Sequence, residues 1–316
     1  MRVGPKPVPG LCGCERMAQI GLGSQILQYC LTGATIGAVY SMVALGFNTI
    51  YNVTGIINFA QGEFVMLGGL VMVFFRAVLK IPFPLALIAT VSLVTCVGLL
   101  LDRFAIRPLR NPSVITMIIA TIAASILIKG AAMFAWGKDP YDLQAFSGRN
   151  PITFLQVAVQ PQSLWVLGIL LAVVVLMTLF FDRTILGKAM RACADNRDVA
   201  SLVGININRM ILLSFAISSA IGAIAGIVIT PISLLEYDRG AMLALKGFAA
   251  VVLGGLGNFA GAVVGGLIIG LIESLGAGLV SSAYKDAFAL LLLLVLLFVK
   301  PSGLLGSAEA SRLRRF

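Results

Sequence analysis

The chain reads as an all-α polytopic membrane protein of about seven to eight transmembrane helices, with broken or re-entrant glycine-rich segments. Three observations predict this. Of 316 residues, 59% are hydrophobic and 11% charged, against about 25% charged in soluble domains. Mean hydropathy is +1.02. Residues 17–62 contain no charged residue; since a span takes about 20 residues, that stretch crosses the bilayer more than once or includes a re-entrant piece.

The elements follow from apolar runs and their interruptions. A first helix is expected near 24–46, followed by the polar stretch GFNTIYNVTGIINFAQGE, uncharged up to Glu63, and a second helix near 59–79. A third runs over about 84–102. Arg103, Arg107 and Arg110 then fall in a short loop ending at Asn111-Pro112. The fourth covers 113–134, a polar connection with three prolines fills 135–162, and the fifth covers 163–181. After the polar stretch 182–210 a sixth spans 211–235, and a last helix near 284–299 ends at Lys300-Pro301. Residues 242–275 are nearly uncharged and rich in glycine. One helix of that length would reach about 51 Å, against roughly 30 Å of hydrocarbon, so it must break, at LGGLGNFAGAVVGG. In domain terms, 1–23 is an N-terminal tail, 24–300 a single transmembrane domain and 301–316 a C-terminal tail.

The net charge of +10 on so apolar a chain reads as a positive-inside signal, without a nucleic-acid-binding motif. Loops 102–112 and 182–210 and the tail carrying Lys300, Arg312, Arg314 and Arg315 are then cytoplasmic. That parity holds if the N-terminus is outside and 242–275 enters and leaves on the outer side. The segment MRVGPKPVPGLCGCER lacks the layout of a signal peptide, and Met17 is a second candidate start. The Cys12-x-Cys14 pair, in a chain without histidine, is a weak metal signal. Cys30 and Cys96 are expected to be small core residues. No catalytic set and no metal site are expected.

Asp182–Arg209 holds five basic and three acidic residues between apolar blocks. It is either a solvated loop or a docking surface. Asp195 is placed to cap a short helix, with Asp198 three residues on. Val199, Leu202 and Val203 follow with helical spacing, and Gly204 sits where a helix stops. Ile185, Ala189 and Cys193 give the preceding piece its own stripe. Glu63 is the first charge after the uncharged stretch. It is either a path-lining carboxylate or, as expected from its place in a first helical turn, an interfacial residue near a positive helix end. Asn52, Asn58, Gln61 and Asn258 either meet a ligand's polar ends or satisfy backbone where helices break. Gly254, Gly255, Gly257, Gly261, Gly265 and Gly266 suit close helix packing, with gating as the other reading. Lys246 and Glu273 are expected at interfaces. The echo of Asn58-Phe59-Ala60-Gln61-Gly62 in Asn258-Phe259-Ala260-Gly261 suggests an internal repeat.

Three stretches resemble the H-type permease subunits of bacterial branched-chain amino-acid ABC transporters. They are residues 46–69, residues 247–270, and the polar segment through Gly187, Ala189, Arg191, Ala192, Ala200 and Gly204. The resemblance covers about 25–306. It implies a subunit of an ATP-driven importer in the inner membrane for branched-chain amino acids or a related small polar solute. The implied partners are a second, M-type permease, two cytoplasmic ATPase subunits, a periplasmic binding protein and membrane lipid. Gly187–Gly204, with Arg191, Ala192, Asp195, Asn196 and Ala200, is then the ATPase-coupling segment. Asn52, Asn58, Gln61, Gly62, Glu63, Gly255, Gly257, Asn258 and Gly261 are the candidate path. Gly137-Lys138 and Gly187-Lys188 lack the rest of a phosphate-binding loop, so ATP and Mg are expected on the partners, with no cofactor in this chain and no enzyme activity of its own. The competing reading is an ion-coupled carrier or channel acting alone, which would need paired intramembrane charges.

Overall fold

The computed structural model describes residues 22–109, 113–148, 151–154, 157–300 and 303–305. Arg110, Asn111, Pro112, Pro301, the segment containing Cys12, Cys14 and Met17, and the tail arginines lie outside the described residues. Among the described residues, eight helices are long and apolar enough to cross a membrane.

Helix α1 (Leu22–Thr54) runs 33 residues, well past the expected end near 46. Its polar residues do not break it because their hydroxyls turn inward. Thr35, Ser41, Thr49 and Thr54 each donate to the carbonyl four residues back, at 2.7–2.8 Å, which satisfies them within the helix itself. The helix ends at Gly55, whose φ of +64° suits glycine. After a short turn comes α2 (Gln61–Val73), buried at every residue and extended by a π turn to Val78.

Helix α3 (Phe83–Leu101) continues as a π turn to Ile106. Arg103 therefore lies in a helical turn, not a loop, and Arg107 just after it. Helix α4 (Val114–Trp136) buries only Thr121 and Ala132. The following connection holds an antiparallel hairpin, β1 (Ile152–Phe154) and β2 (Val157–Val159), with Ile152 opposite Val159. Next come α5 (Pro161–Arg183), the short helices α6 (Ile185–Asp195) and α7 (Arg197–Leu202), and α8 (Ile207–Ile229). The glycine-rich segment breaks, as expected, into α9 (Arg239–Gly254) and α10 (Phe259–Leu279); α11 (Lys285–Val299) closes the bundle.

Contacts fix the helix directions. The C-terminal end of α1 meets α7, because a Cβ on Gly55 would sit 3.1 Å from Arg197 Nη2. At its other end Gln28 donates to Ala158 O beside the hairpin. The bundle thus has an α6–α7 end and a hairpin end. Helices α1 and α10 run antiparallel and touch through glycines at four-residue spacing. A Cβ on Gly37 would lie 2.9 Å from Gly266 O, and one on Gly33 2.8 Å from Leu271 Cα. The expected small-residue packing is realised here, letting backbones approach closely without lipid between them. Helices α1, α2, α8, α9 and α10 form the interior. Cys96 lies exposed on α3 and Cys30 is half-buried, so neither is a core filler.

Helices α2 and α9 are the two interrupted elements, and they begin against each other inside the bundle. Gln61, first residue of α2, bonds Ser218, the middle residue of α8. Gly62 packs on Gly240, at the start of α9. From this junction α2 runs beside α8, through Gly68 on Ala223 and Gly69 on Gly226, towards the hairpin end. Helix α9 runs beside α1, through Lys246 on Tyr40 and Gly247 on Val43, towards the α6–α7 end. The α1–α2 and α8–α9 pairs are therefore inverted relative to each other. The Asn58/Asn258 echo falls just before two helices: Asn258 Oδ1 caps α10 by accepting from Gly261 N at 2.9 Å, whereas Asn58 Oδ1 accepts from Ala60 N at 3.1 Å in the turn before α2, which has no side-chain cap.

Candidate functional site

The α6–α7 segment is a stiff helical corner. Thr184 caps α6 by accepting from Gly187 N at 3.0 Å. The cap of α7 is Asn196, accepting from Asp198 N at 3.0 Å and Val199 N at 3.1 Å. Asp195, expected in that role, is the last residue of α6. One position decides it: Asn196 already has extended backbone, with φ −157° and ψ 113°, as an N-cap requires. Gly204 ends the segment at φ +89°.

The buried face of α6 is Gly187, Met190 and Cys193, not the expected Ile185–Ala189–Cys193 stripe. Gly187 is pressed on the Phe180–Phe181 backbone, where a Cβ would overlap, so the helix docks by this face and Ile185 turns outward. In α7 only Ala200 is buried; Ala192 is half-buried. Ile185 at 87%, Leu202 at 87%, Val203 at 77% and Val199 at 52% exposure stand out as an apolar crest. Arg191 pairs with Asp182 and lies over the Phe181 ring. Burial pushes the Cys193 thiol above its usual range and pulls the Arg197 guanidinium down.

Behind this corner lies a cavity of about 880 Å³. Asn52 of α1, Arg191 and Asp195 of α6, and Gly257 and Asn258 of the α9–α10 turn share its wall, so candidates assigned on sequence to coupling and to the path meet here. The turn is held from α1 by two amides at one helical turn's spacing. Asn48 donates to Asn258 O at 2.8 Å and accepts from Gly257 N at 3.0 Å; Asn52 donates to Gly257 O at 3.3 Å. Gly257, with φ +91°, leaves no room on this side: a Cβ would lie 3.1 Å from Asn52 Oδ1. Asn258 Nδ2 donates to Leu305 O at 2.9 Å. Gly254 and Gly261 cross in backbone contact, and Gly255 abuts Gly303. Asn48 was missed on sequence, although its spacing from Asn52 was a signal.

Asn58, Gln61, Gly62 and Glu63 sit apart from this cavity, at the α2–α9 junction. Ser218 Oγ lies 2.6 Å from Gln61 Oε1 and 2.8 Å from Gly46 O. Glu63 is 1% exposed and deep in the bundle, which corrects the interfacial expectation. Ser125 of α4 donates to its Oε1 at 3.0 Å. Among the described residues its Oε2 has no hydrogen-bond partner; it faces Gly240 at the start of α9, and the positive end of a helix favours an anion. Lys129 and Asp238 pair beside it.

Lys246 and Glu273 are not interfacial either. They are 5% and 0% exposed and paired at 3.0 Å, with Tyr40 donating to Glu273 Oε2 at 2.9 Å.

The family model "Branched-chain amino acid transport system / permease component" matches residues 29–297. The chain is 31% identical over 301 residues to the high-affinity branched-chain amino acid transport system permease protein LivH of Escherichia coli K12, covering 90% of this chain and 97% of that one. It is 30% identical to the corresponding permease protein BraD of Pseudomonas aeruginosa, with the same coverage. A probable LivH of Methanocaldococcus jannaschii is 28% identical over 84% of this chain and 88% of its own. This multi-pass membrane protein belongs to the family of branched-chain amino-acid transport system permease components.

Proposed function

We propose that the chain is the permease subunit of an ATP-driven importer in the inner membrane, carrying branched-chain amino acids or a related small polar solute. The observation that carries this reading is the α6–α7 corner. It is capped at both helix starts, seated by a glycine and three buried side chains, and crowned by an apolar crest that none of the described residues covers. Exposed apolar side chains on a rigid mount are what a groove on a partner recognises. That partner is a cytoplasmic ATPase subunit, one of two, and it holds the ATP and Mg. An M-type permease pairs with this chain, and a periplasmic binding protein delivers the solute at the hairpin end. The α6–α7 end and the C-terminus are then cytoplasmic.

The route from crest to path is short. Arg197 of α7 touches the Gly55 turn that leads into α2. Arg191 and Asp195 of α6 share a cavity with the α9–α10 turn. A tilt of the corner on ATP binding would therefore pull on both interrupted helices, whose starts meet at Gln61–Glu63 and Gly240.

Replacing Leu202 and Val203 together with glutamate should abolish ATP-driven uptake while leaving insertion and melting temperature unchanged, since exposed substitutions usually shift stability by less than about 0.5 kcal/mol. Normal uptake by that variant would remove the docking role. The buried Lys246–Glu273 pair meets the charge requirement of a second reading, an ion-coupled carrier acting alone. Under it the same variant would transport normally, without ATP.

A further inference from the structure

A cavity of about 350 Å³ opens at the hairpin end, between α1, α9, α11 and the segment following α8. Small-molecule sites start near about 300 Å³. One wall is apolar, with Val39, Ile229, Leu234 and Leu243. The other carries Arg239, Lys246, Lys285 and Asp286.

These charges are not all spent on one another. Lys246 Nζ is saturated: it lies 3.0 Å from Glu273, 2.5 Å from Asp286 and 3.2 Å from Tyr40 OH. Lys285 turns to Glu273 at 3.3 Å. Arg239, in the first turn of α9, acts on Asp286 through space, and among the described residues its ion pair is a loose one with Glu236 at 3.9 Å, which leaves guanidinium donors for a planar acceptor. Asp286 keeps 56% of its side chain exposed, so its carboxylate still has accepting capacity towards the cavity. The wall therefore offers a cation and an anion beside an apolar face.

We propose that this cavity is a subsite for a zwitterionic, aliphatic α-amino acid: Arg239 takes the carboxylate, Asp286 the ammonium, and the side chain lies on the Val39–Leu243 wall. This rests on the importer reading and deepens it by naming where the solute is first held by the permease. Selectivity follows from the two charges. A neutral amide or urea satisfies neither, and a simple carboxylate meets Asp286 as a like charge.

The test is equilibrium binding of tritiated L-leucine to the purified chain with its co-purifying subunits in nanodiscs, without binding protein. L-leucinamide and 4-methylpentanoate, each lacking one charge, serve as competitors. L-leucine should bind saturably and each analogue about tenfold or more weakly, as for loss of one charge-assisted bond. Asp286→Asn should weaken L-leucine about tenfold but not 4-methylpentanoate; Arg239→Gln should weaken L-leucine but not L-leucinamide. Both side chains are more than half exposed, and unchanged melting of the variants excludes misfolding. No saturable binding, analogues equal to L-leucine, or variants equal to wild type would overturn the subsite. The same preparations, supplied with binding protein and ATP in liposomes, separate the two readings. ATP-driven uptake of leucine, isoleucine or valine with flat binding data overturns the subsite alone. Absence of ATP-driven uptake overturns the importer, while the binding pattern still decides the subsite.

Discussion

The two ends of the bundle are held together by different chemistry. At the α6–α7 end, neutral amides from α1 clamp the α9–α10 turn: Asn48 and Asn52 bond the backbone of Gly257 and Asn258. At the hairpin end, α1, α9, α10 and α11 are joined by a cluster of charges centred on Lys246 and Glu273. Amides satisfy backbone at modest cost and tolerate small shifts, because a hydrogen bond to a neutral group contributes about 1 kcal/mol. A buried ion pair is far less forgiving, since losing either partner strands a charge. In the importer reading, the end facing the ATPases has the yielding joint and the end facing the solute has the stiff one.

The largest expected effect comes from breaking the stiff joint. Lys246→Met leaves Glu273, 0% exposed, with only Lys285 and Tyr40, and should cost about 3 kcal/mol. A melting curve in mild detergent reads this, and adding Glu273→Gln should recover most of the loss. No loss in the single variant would mean that the pair contributes nothing. Next is the yielding joint. Asn48→Ala orphans Gly257 N–H and Asn258 C=O and should cost about 2 kcal/mol, with faster amide exchange confined to residues near 255–258. Spread of that exchange to the hairpin end would erase the distinction between the joints. Smaller again, Asn196→Ala removes the α7 cap at about 1 kcal/mol and should raise amide exchange in 197–202. The smallest effect is kinetic. Burial raises the Cys193 thiol, so stability from its neutral form is present below the ordinary thiol pKa and lost as pH rises through the raised value. Maleimide should label it slowly at neutral pH and faster only above the usual thiol range of about 8.5. Fast labelling at pH 7 would mean that α6 lifts off its seat.

The outer helices were legible because each apolar run starts at or just after a proline: 84–102, 113–134 and 163–181 lie within two residues of α3, α4 and α5. The break near 255–258 followed from length alone. The end of α1 did not, because hydroxyls that look like breakers bond backward within the helix. The α7 cap was misplaced by one residue, since Asp195 and Asn196 are both capable caps and backbone geometry chose between them. Within the candidate site, Asn52, Gly257 and Asn258 do adjoin Arg191 and Asp195. The Lys246–Glu273 pair and the meeting of α2 with α9 were invisible. Each joins residues distant in sequence, and helical periodicity reports which face is apolar, not what lies across from it.

The most direct measurement is gentle purification of the tagged chain from its native membrane, with partners identified and counted by mass spectrometry. The importer reading predicts a second, related permease and two ATPase subunits in stoichiometric amounts, with ATPase subunits lost on replacing Leu202 and Val203 with glutamate. Recovery of the chain alone, or only as a self-oligomer, would contradict it and turn attention to Glu63 and the Lys246–Glu273 pair as the charges of a carrier.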